Sequence, residues 1–266
     1  MKKGHSMRAV IVGAGIAGLA AAQGLRLIGW DTEIYEQAEA LEPLGAGLSL
    51  SANALRGLRT LGLYDLVTAA AQPIQQLELL DQGGRVLQST DFQELGRRYG
   101  HLAMAVLHRG DLHKALLAKL PERMIRTGME CVGARETDDR IVLDFASGEA
   151  VEANFVVAGD GIHSVVRKAL FPESREHFAR YTCWRAIAPY VPGDMNRARL
   201  TESWGRASDS VSPPCQASES TGLPVAAPKG EMILPWRSSI WRVSRTSLRT
   251  SMSRSRRCSI ARLRMR

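Results

Sequence analysis

A chain of 266 residues with 45% apolar side chains can bury a core, as one large domain or two small ones. Its net charge of +8 invites nucleic-acid or membrane binding, but residues 207–266 carry all of it, with 11 basic and 3 acidic side chains. The first 206 residues hold 24 of each sign, so neither class describes the body of the chain.

The four cysteines, Cys131, Cys183, Cys215 and Cys258, form no CxxC pair and no regular spacing. Neither a metal site nor a disulfide framework is indicated, and a reducing, cytoplasmic location fits. Lys2 and Lys3 ahead of an Ala-rich stretch resemble a signal peptide superficially, but glycines interrupt the stretch. No run of about 18 uncharged apolar residues exists, so no transmembrane helix is expected.

In chain order, Arg8 to Val12 (RAVIV) predicts a buried strand, and LAAAQGLRLIG after it has helical spacing. Thr32 to Glu36 predicts a second strand, completing a βαβ unit of about 30 residues. Gly45 to Ser51 reads as extended, and Asn53 to Leu61 as a helix closed by Gly62. Ile74–Leu80 and Arg85–Ser89 flank Asp81-Gln82-Gly83-Gly84, a hairpin that interrupts the nucleotide unit and so belongs to a second sheet. His108 to Leu120 predicts a helix. Arg140–Phe145 and Val151–Val157 predict strands about a Ser147-Gly148 turn, followed by a helix over Val165–Leu170 that Pro172 stops. Tyr181 to Tyr190 reads as a strand. Residues 207–266 hold 13 serines and 10 arginines with no sustained period, and predict no packed domain.

The strongest local motif is Gly13-x-Gly15-x-x-Gly18, between strand and helix. Gly13 permits the tight turn, Gly15 lets backbone approach a pyrophosphate, and Gly18 lets helix and strand pack closely. The phosphates then meet the helix N-terminus, whose N–H groups and dipole favour negative charge. Glu36, 23 residues after Gly13, ends the second strand where a carboxylate can accept from ribose hydroxyls. That acid favours a free 2′-hydroxyl, so FAD or NAD over NADP, and the motif alone does not choose between them.

Four segments, GAGIAGLAAA, PLGAGLSLSANALRGLRTLGL, LHRGDLHKALL and VVAGDGIHSVVRKAL, occur in this order. Together they resemble the class A flavoprotein monooxygenases, especially the salicylate, urate and 6-hydroxynicotinate hydroxylases and the zeaxanthin epoxidases. The resemblance covers residues 7 to 206. It implies an α/β fold: a Rossmann-type FAD-binding domain with inserted strands of a second mixed β-sheet, the incomplete substrate domain. Residues 1–72 and 97–173 would form the FAD domain, 73–96 and 174–206 the partial substrate sheet, and 207–266 an irregular basic tail.

By the same resemblance, Gly13, Gly15, Ala17 and Gly18 hold the FAD pyrophosphate, and Glu36 with Gln37 the adenosine ribose. Gly45, Gly47 and Ser49 lie along the flavin side. Arg109 reaches the phosphates and ribose, as a cation near a diphosphate should. Cys131 falls where backbone meets adenine. Asp160 and Gly161, in Gly159-Asp160-Gly161, touch FAD, with Ser164 and Arg167 completing the motif; a turn plus helix N-cap is the competing reading. His163 sits beside the cofactor rather than at the substrate. Arg185 is a weak catalytic candidate, facing an anionic aromatic substrate or serving only the sheet.

The implied activity is FAD-dependent monooxygenation. NAD(P)H is the electron donor, and O2 and a small aromatic or heteroaromatic molecule are the substrates. Alternatives are an FAD or NAD oxidoreductase without oxygen insertion, and a non-catalytic nucleotide-binding module whose basic arm binds nucleic acid or anionic membrane. Family members return to the nucleotide domain through a Gly-Asp-Ala-Ala-His-like segment that this sequence lacks, and TESWGR at Thr201–Arg206 is the last family-like stretch. A reading-frame shift near Arg206 is the expectation, leaving a chain of impaired activity. Resequencing, or native mass spectrometry finding the tail as a selected product, tests it.

Overall fold

RAVIV forms β1 (Arg8–Val12) in the computed structural model, which describes residues 7–42, 45–178, 182–183, 186–188, 196–204, 208–212 and 220–226. Ile11 packs into one apolar cluster, and Val10 and Val12 into another on the opposite face. A strand covered on both sides needs a continuous apolar run rather than alternation. The chain continues through α1 (Ile16–Leu27), β2 (Asp31–Tyr35), β3 (Gly47–Ser51), α2 (Ala52–Thr60), α3 (Tyr64–Ala69) and β4 (Gln72–Pro73). Next come β5 (Gln76–Asp81), β6 (Val86–Asp91), α4 (Phe92–Tyr99), β7 (Met104–His108) and α5 (Arg109–Leu117). Past a short turn of 3-10 helix lie β8 (Ile125–Arg126), β9 (Cys131–Glu136), β10 (Ile141–Phe145), β11 (Ala150–Ala153), β12 (Phe155–Ala158) and α6 (Val165–Leu170). The remaining described strands are β13 (Thr182–Cys183), β14 (Ala186–Ala188), β15 (Arg199–Trp204), β16 (Ser208–Ser212) and β17 (Ser220–Ala226).

A parallel sheet in the order β12-β1-β2-β8 is the centre of the nucleotide unit. One face carries α1 and α5, with Leu19, Ala22, Leu112 and Leu116 meeting Ile11 and Ile34. The other face carries the antiparallel meander β9-β10-β11, whose Leu143, Phe145 and Val151 meet Val10, Val12 and Tyr35. Behind β2, the Glu33 carboxylate accepts from the Tyr35 hydroxyl at 2.6 Å and from Arg8 at 2.8 Å. Burial pushes that carboxyl up, and these two donors outweigh it and hold it below the usual range.

The expected single strand Val151–Val157 is instead two strands in two sheets. β11 pairs antiparallel with β10, and β12 pairs parallel with β1. Asn154 makes the break: its N–H donates to the Arg8 carbonyl at 3.0 Å, and its Oδ1 accepts from the Arg8 N–H at 3.1 Å. Asn154→Ala removes the side-chain bond and leaves the strand-end N–H without its acceptor. Urea unfolding should show a loss of about 1 kcal/mol with an unchanged slope.

The hairpin β5–β6 forms where expected, with Gly84 at φ +83° and Asp81 Oδ1 accepting from Gly83 and Arg85 N–H, each at 2.9 Å. It belongs to a mixed sheet in the order β13-β17-β16-β15-β5-β6, with β14 also on β17. The β5–β15 pairing is parallel and the others are antiparallel. Ile74, Val106 and Leu200 tie this sheet to the small sheet β3-β7-β4. β16 and β17 fall within residues 207–266, where irregular structure was expected. The edge of β15 not taken by β5 pairs with β16, and backbone pairing of this kind requires no apolar pattern. No helix among the described residues is long and apolar enough to cross a membrane.

Candidate functional site

β1 ends in a turn where three backbones touch. Gly13 has φ +98°, and its N–H donates to the Tyr35 carbonyl at 2.7 Å. A Cβ on Gly13 would lie 2.5 Å from the Gly159 carbonyl oxygen, and one on Gly18 would overlap the Gly13 carbonyl. A Cβ on Gly159 would lie 3.1 Å from both the Gly18 Cα and the Val12 oxygen. Gly13, Gly18 and Gly159 therefore interlock β1, α1 and the end of β12. In the sequence Gly159 stands out only as a neighbour of Asp160, because its packing role depends on a contact 146 residues back along the chain.

Gly15 is the opposite case. It caps α1 at φ −72°, and a Cβ there would meet nothing within 4 Å. Ala17 is exposed in the first turn of the same helix. The open ground before α1 thus faces N–H groups that the helix itself cannot satisfy.

Glu36 follows β2 as expected, and the structure orients it closely. Its Oε2 accepts from Ala14 N–H at 2.7 Å and its Oε1 from Ala38 N–H at 2.9 Å. Its own backbone is held by the Arg126 carbonyl at 2.9 Å and the Met129 N–H at 2.8 Å. Each carboxylate oxygen keeps a further lone pair for a hydroxyl donor. Gln37 is exposed beside it.

On the other side of the turn, Gly45 at φ +136° lies flat against Arg109. A Cβ there would lie 2.8 Å from Arg109 Cδ, and the Arg109 N–H donates to the Ala46 carbonyl at 3.0 Å. The Gly45 backbone thereby sets the course of the arginine stem. Gly47 and Ser49 sit on β3, in register with His108 and Val106.

Asp160 divides its two oxygens. Oδ2 accepts from Val165 N–H at 2.8 Å and from Val166 N–H at 3.4 Å, while Ser164 Oγ caps Arg167 N–H at 2.9 Å. Oδ1 is buried with no hydrogen-bonding partner among the described residues. Oδ2 thus serves the helix, as the capping reading expects. Gly161, at φ +81°, is exposed beside it. His163 pairs at the surface with Glu176, Nδ1 to Oε1 at 2.7 Å.

Cys131 opens β9, and its thiol donates to the Gly133 carbonyl at 3.4 Å. Burial, with the Asp160 and Asp144 charges adding to it, pushes this thiol up. Iodoacetamide at neutral pH should leave Cys131 unlabelled in folded protein and label it in denaturant, as read by peptide mass spectrometry. Labelling in the folded state would contradict the burial. Arg185 and Trp184 lie outside the described residues.

One residue escaped the sequence reading. His113, buried on α5, places Nε2 2.8 Å from the Ala14 carbonyl oxygen. The available signal was its position four residues after Arg109, on the same helix face.

An uncrowded Gly15 at the helix N-terminus, a carboxylate at the strand end and an orphaned buried acceptor on Asp160 together fit FAD. Comparison with known proteins agrees. The profile of the FAD binding domain family matches residues 6–259, a span that runs past Arg206. Aurachin C monooxygenase/isomerase of Stigmatella aurantiaca is 33% identical over 205 residues, 77% of this chain and 52% of that protein. The 3-amino-4-hydroxybenzoate 2-monooxygenase of Streptomyces cremeus is 33% identical over 187 residues, 70% of this chain and 47% of that protein. Klebsiella pneumoniae HpxO, in its crystal structure with FAD and uric acid, superposes with a TM-score of 0.80 at 22% identity, covering 92% of this chain and 62% of HpxO, a likeness of fold. The chain spans about half the length of the curated relatives it matches. This chain belongs to the FAD-binding domain family.

Proposed function

We propose that this chain is the FAD-binding part of a monooxygenase that uses NAD(P)H and O2 to hydroxylate a small aromatic or heteroaromatic substrate. The observation that carries the reading is a glycine turn with a strand-end carboxylate, in a chain whose relatives are named as monooxygenases. When bound, FAD supplies the electron transfer and the activation of O2.

The chain's own residues bind and orient the cofactor. Gly13, Gly15, Ala17 and Gly18 present backbone to the diphosphate, and Arg109 adds a cation to it. Glu36, with Gln37 beside it, accepts from the adenosine ribose. Cys131 backs the adenine. Asp160 and Gly161 touch FAD, and Gly45, Gly47 and Ser49 flank the flavin. Residues 1–72 and 97–173 form the cofactor domain in this proposal, and 73–96 with 174–206 begin the substrate sheet. A cytoplasmic location belongs to the same proposal, on the strength of cysteines without a pairing pattern.

The test starts with the visible spectrum of the purified chain. Flavin bands near one equivalent support the cofactor assignments. Protein that stays colourless after FAD is added overturns them. Substrate-dependent NAD(P)H oxidation that puts label from oxygen-18 gas into product supports hydroxylation. Oxidation that leaves the product unlabelled favours a reductase of the same fold.

A further inference from the structure

The Ala14 peptide is held from both sides. Its N–H donates to Glu36 Oε2 at 2.7 Å, and its carbonyl oxygen lies 2.8 Å from His113 Nε2. A carbonyl can only accept, so Nε2 carries the ring proton. Nδ1 is buried and without a partner among the described residues. His113 is 7% exposed and reaches the loop from α5.

The peptide bond between Ala14 and Gly15 is trans and planar, so the Ala14 carbonyl and the Gly15 N–H point in opposite directions. Anchoring the carbonyl toward α5 aims the Gly15 N–H away from α5, and the Gly15 backbone is open on its Cβ side, with nothing within 4 Å of a built Cβ. We infer that His113 is a positioning residue that fixes the Gly15 N–H toward the FAD diphosphate. The inference rests on the reading of this loop as the seat of that diphosphate. One turn of α5 then does two jobs: Arg109 brings charge, and His113 sets the direction of a backbone donor.

Side-chain geometry supplies the test. A glutamine amide nitrogen reaches the place of histidine Nε2, and an asparagine amide falls short of it. Binding of FAD, ADP and adenosine is measured by calorimetry on wild type, His113→Gln, His113→Asn and His113→Leu, each checked for folding by circular dichroism. His113→Asn and His113→Leu should lose about tenfold in affinity for FAD and ADP, the worth of one hydrogen bond, and keep their affinity for adenosine. His113→Gln should stay within about twofold of wild type for all three. If His113→Leu does not fold, the polar pair of Gln and Asn decides alone. The inference is overturned if His113→Asn binds FAD as wild type does, or if adenosine affinity falls as far as ADP affinity, which marks a structural role. Wild-type protein that takes up none of the three ligands overturns the cofactor reading, and the inference with it.

Discussion

Gly18→Ala should give an apoprotein less stable by about 3 kcal/mol and unable to hold flavin. The added methyl would overlap the Gly13 carbonyl oxygen, a backbone atom that no rotamer change can move aside. Either α1 lifts off β1 or the turn opens, and both displace the Gly159 contact. Gly15→Ala is the matched control. Its methyl meets no protein atom within 4 Å, and its φ of −72° suits any residue. Stability should therefore stay within about 0.5 kcal/mol of wild type. FAD affinity should still fall by about a hundredfold, because the methyl occupies the ground where the diphosphate meets backbone. Chemical unfolding of the apoproteins, beside flavin titrations, separates the two effects. A Gly15→Ala protein that binds FAD normally would remove the diphosphate from this turn.

Substitutions at Asp160 should split binding from folding in a similar way. Asp160→Asn can keep one oxygen on Val165 N–H, where Oδ2 now accepts at 2.8 Å. It then puts an N–H2 donor where Oδ1 offered an acceptor. The unfolding midpoint should hardly move, and FAD affinity should drop tenfold or more, to about a hundredfold, as for a bond to a charged acceptor. Asp160→Ala loses the cap as well, adding about 1 kcal/mol of instability. If both variants bind FAD like wild type while only the alanine protein is weakened, Asp160 is a helix cap and nothing more.

Much of this could be read from the chain before its fold was known. β1, α1 and β2 were legible because α1 and β2 each have their own period, and because glycines at fixed offsets mark where the apolar run of β1 ends and the helix begins. The β5–β6 hairpin was legible from its turn chemistry, and α6 from Ser164 before it and Pro172 after it. β7 was missed, because MAVLH is a short buried run against a helix start, and such a run has no period to measure. β15 was missed as a strand because its support comes from parallel pairing with β5, over a hundred residues earlier. The division at Asn154 needed its partner Arg8. The site follows the same rule. Gly13, Gly15, Gly18 and Glu36 act through local geometry and were legible. Gly159 and His113 act across the fold on that same turn, and only the structure shows the contacts.

The pairing of β1 with β12 also governs how the molecule is built. β1 leaves the ribosome well before β12, and the contact that closes its edge, Arg8 with Asn154, spans 146 residues. Until that partner is synthesised, β1 presents an open, apolar edge. Closing so long a loop is slow, and this is the stage most exposed to aggregation. The glycine turn is translated before Gly159, and it gains its Gly159 wall only after the sheet closes. FAD that binds this turn should therefore draw the closed state out of the folding equilibrium, so that refolding with added FAD should recover more native protein than refolding without it.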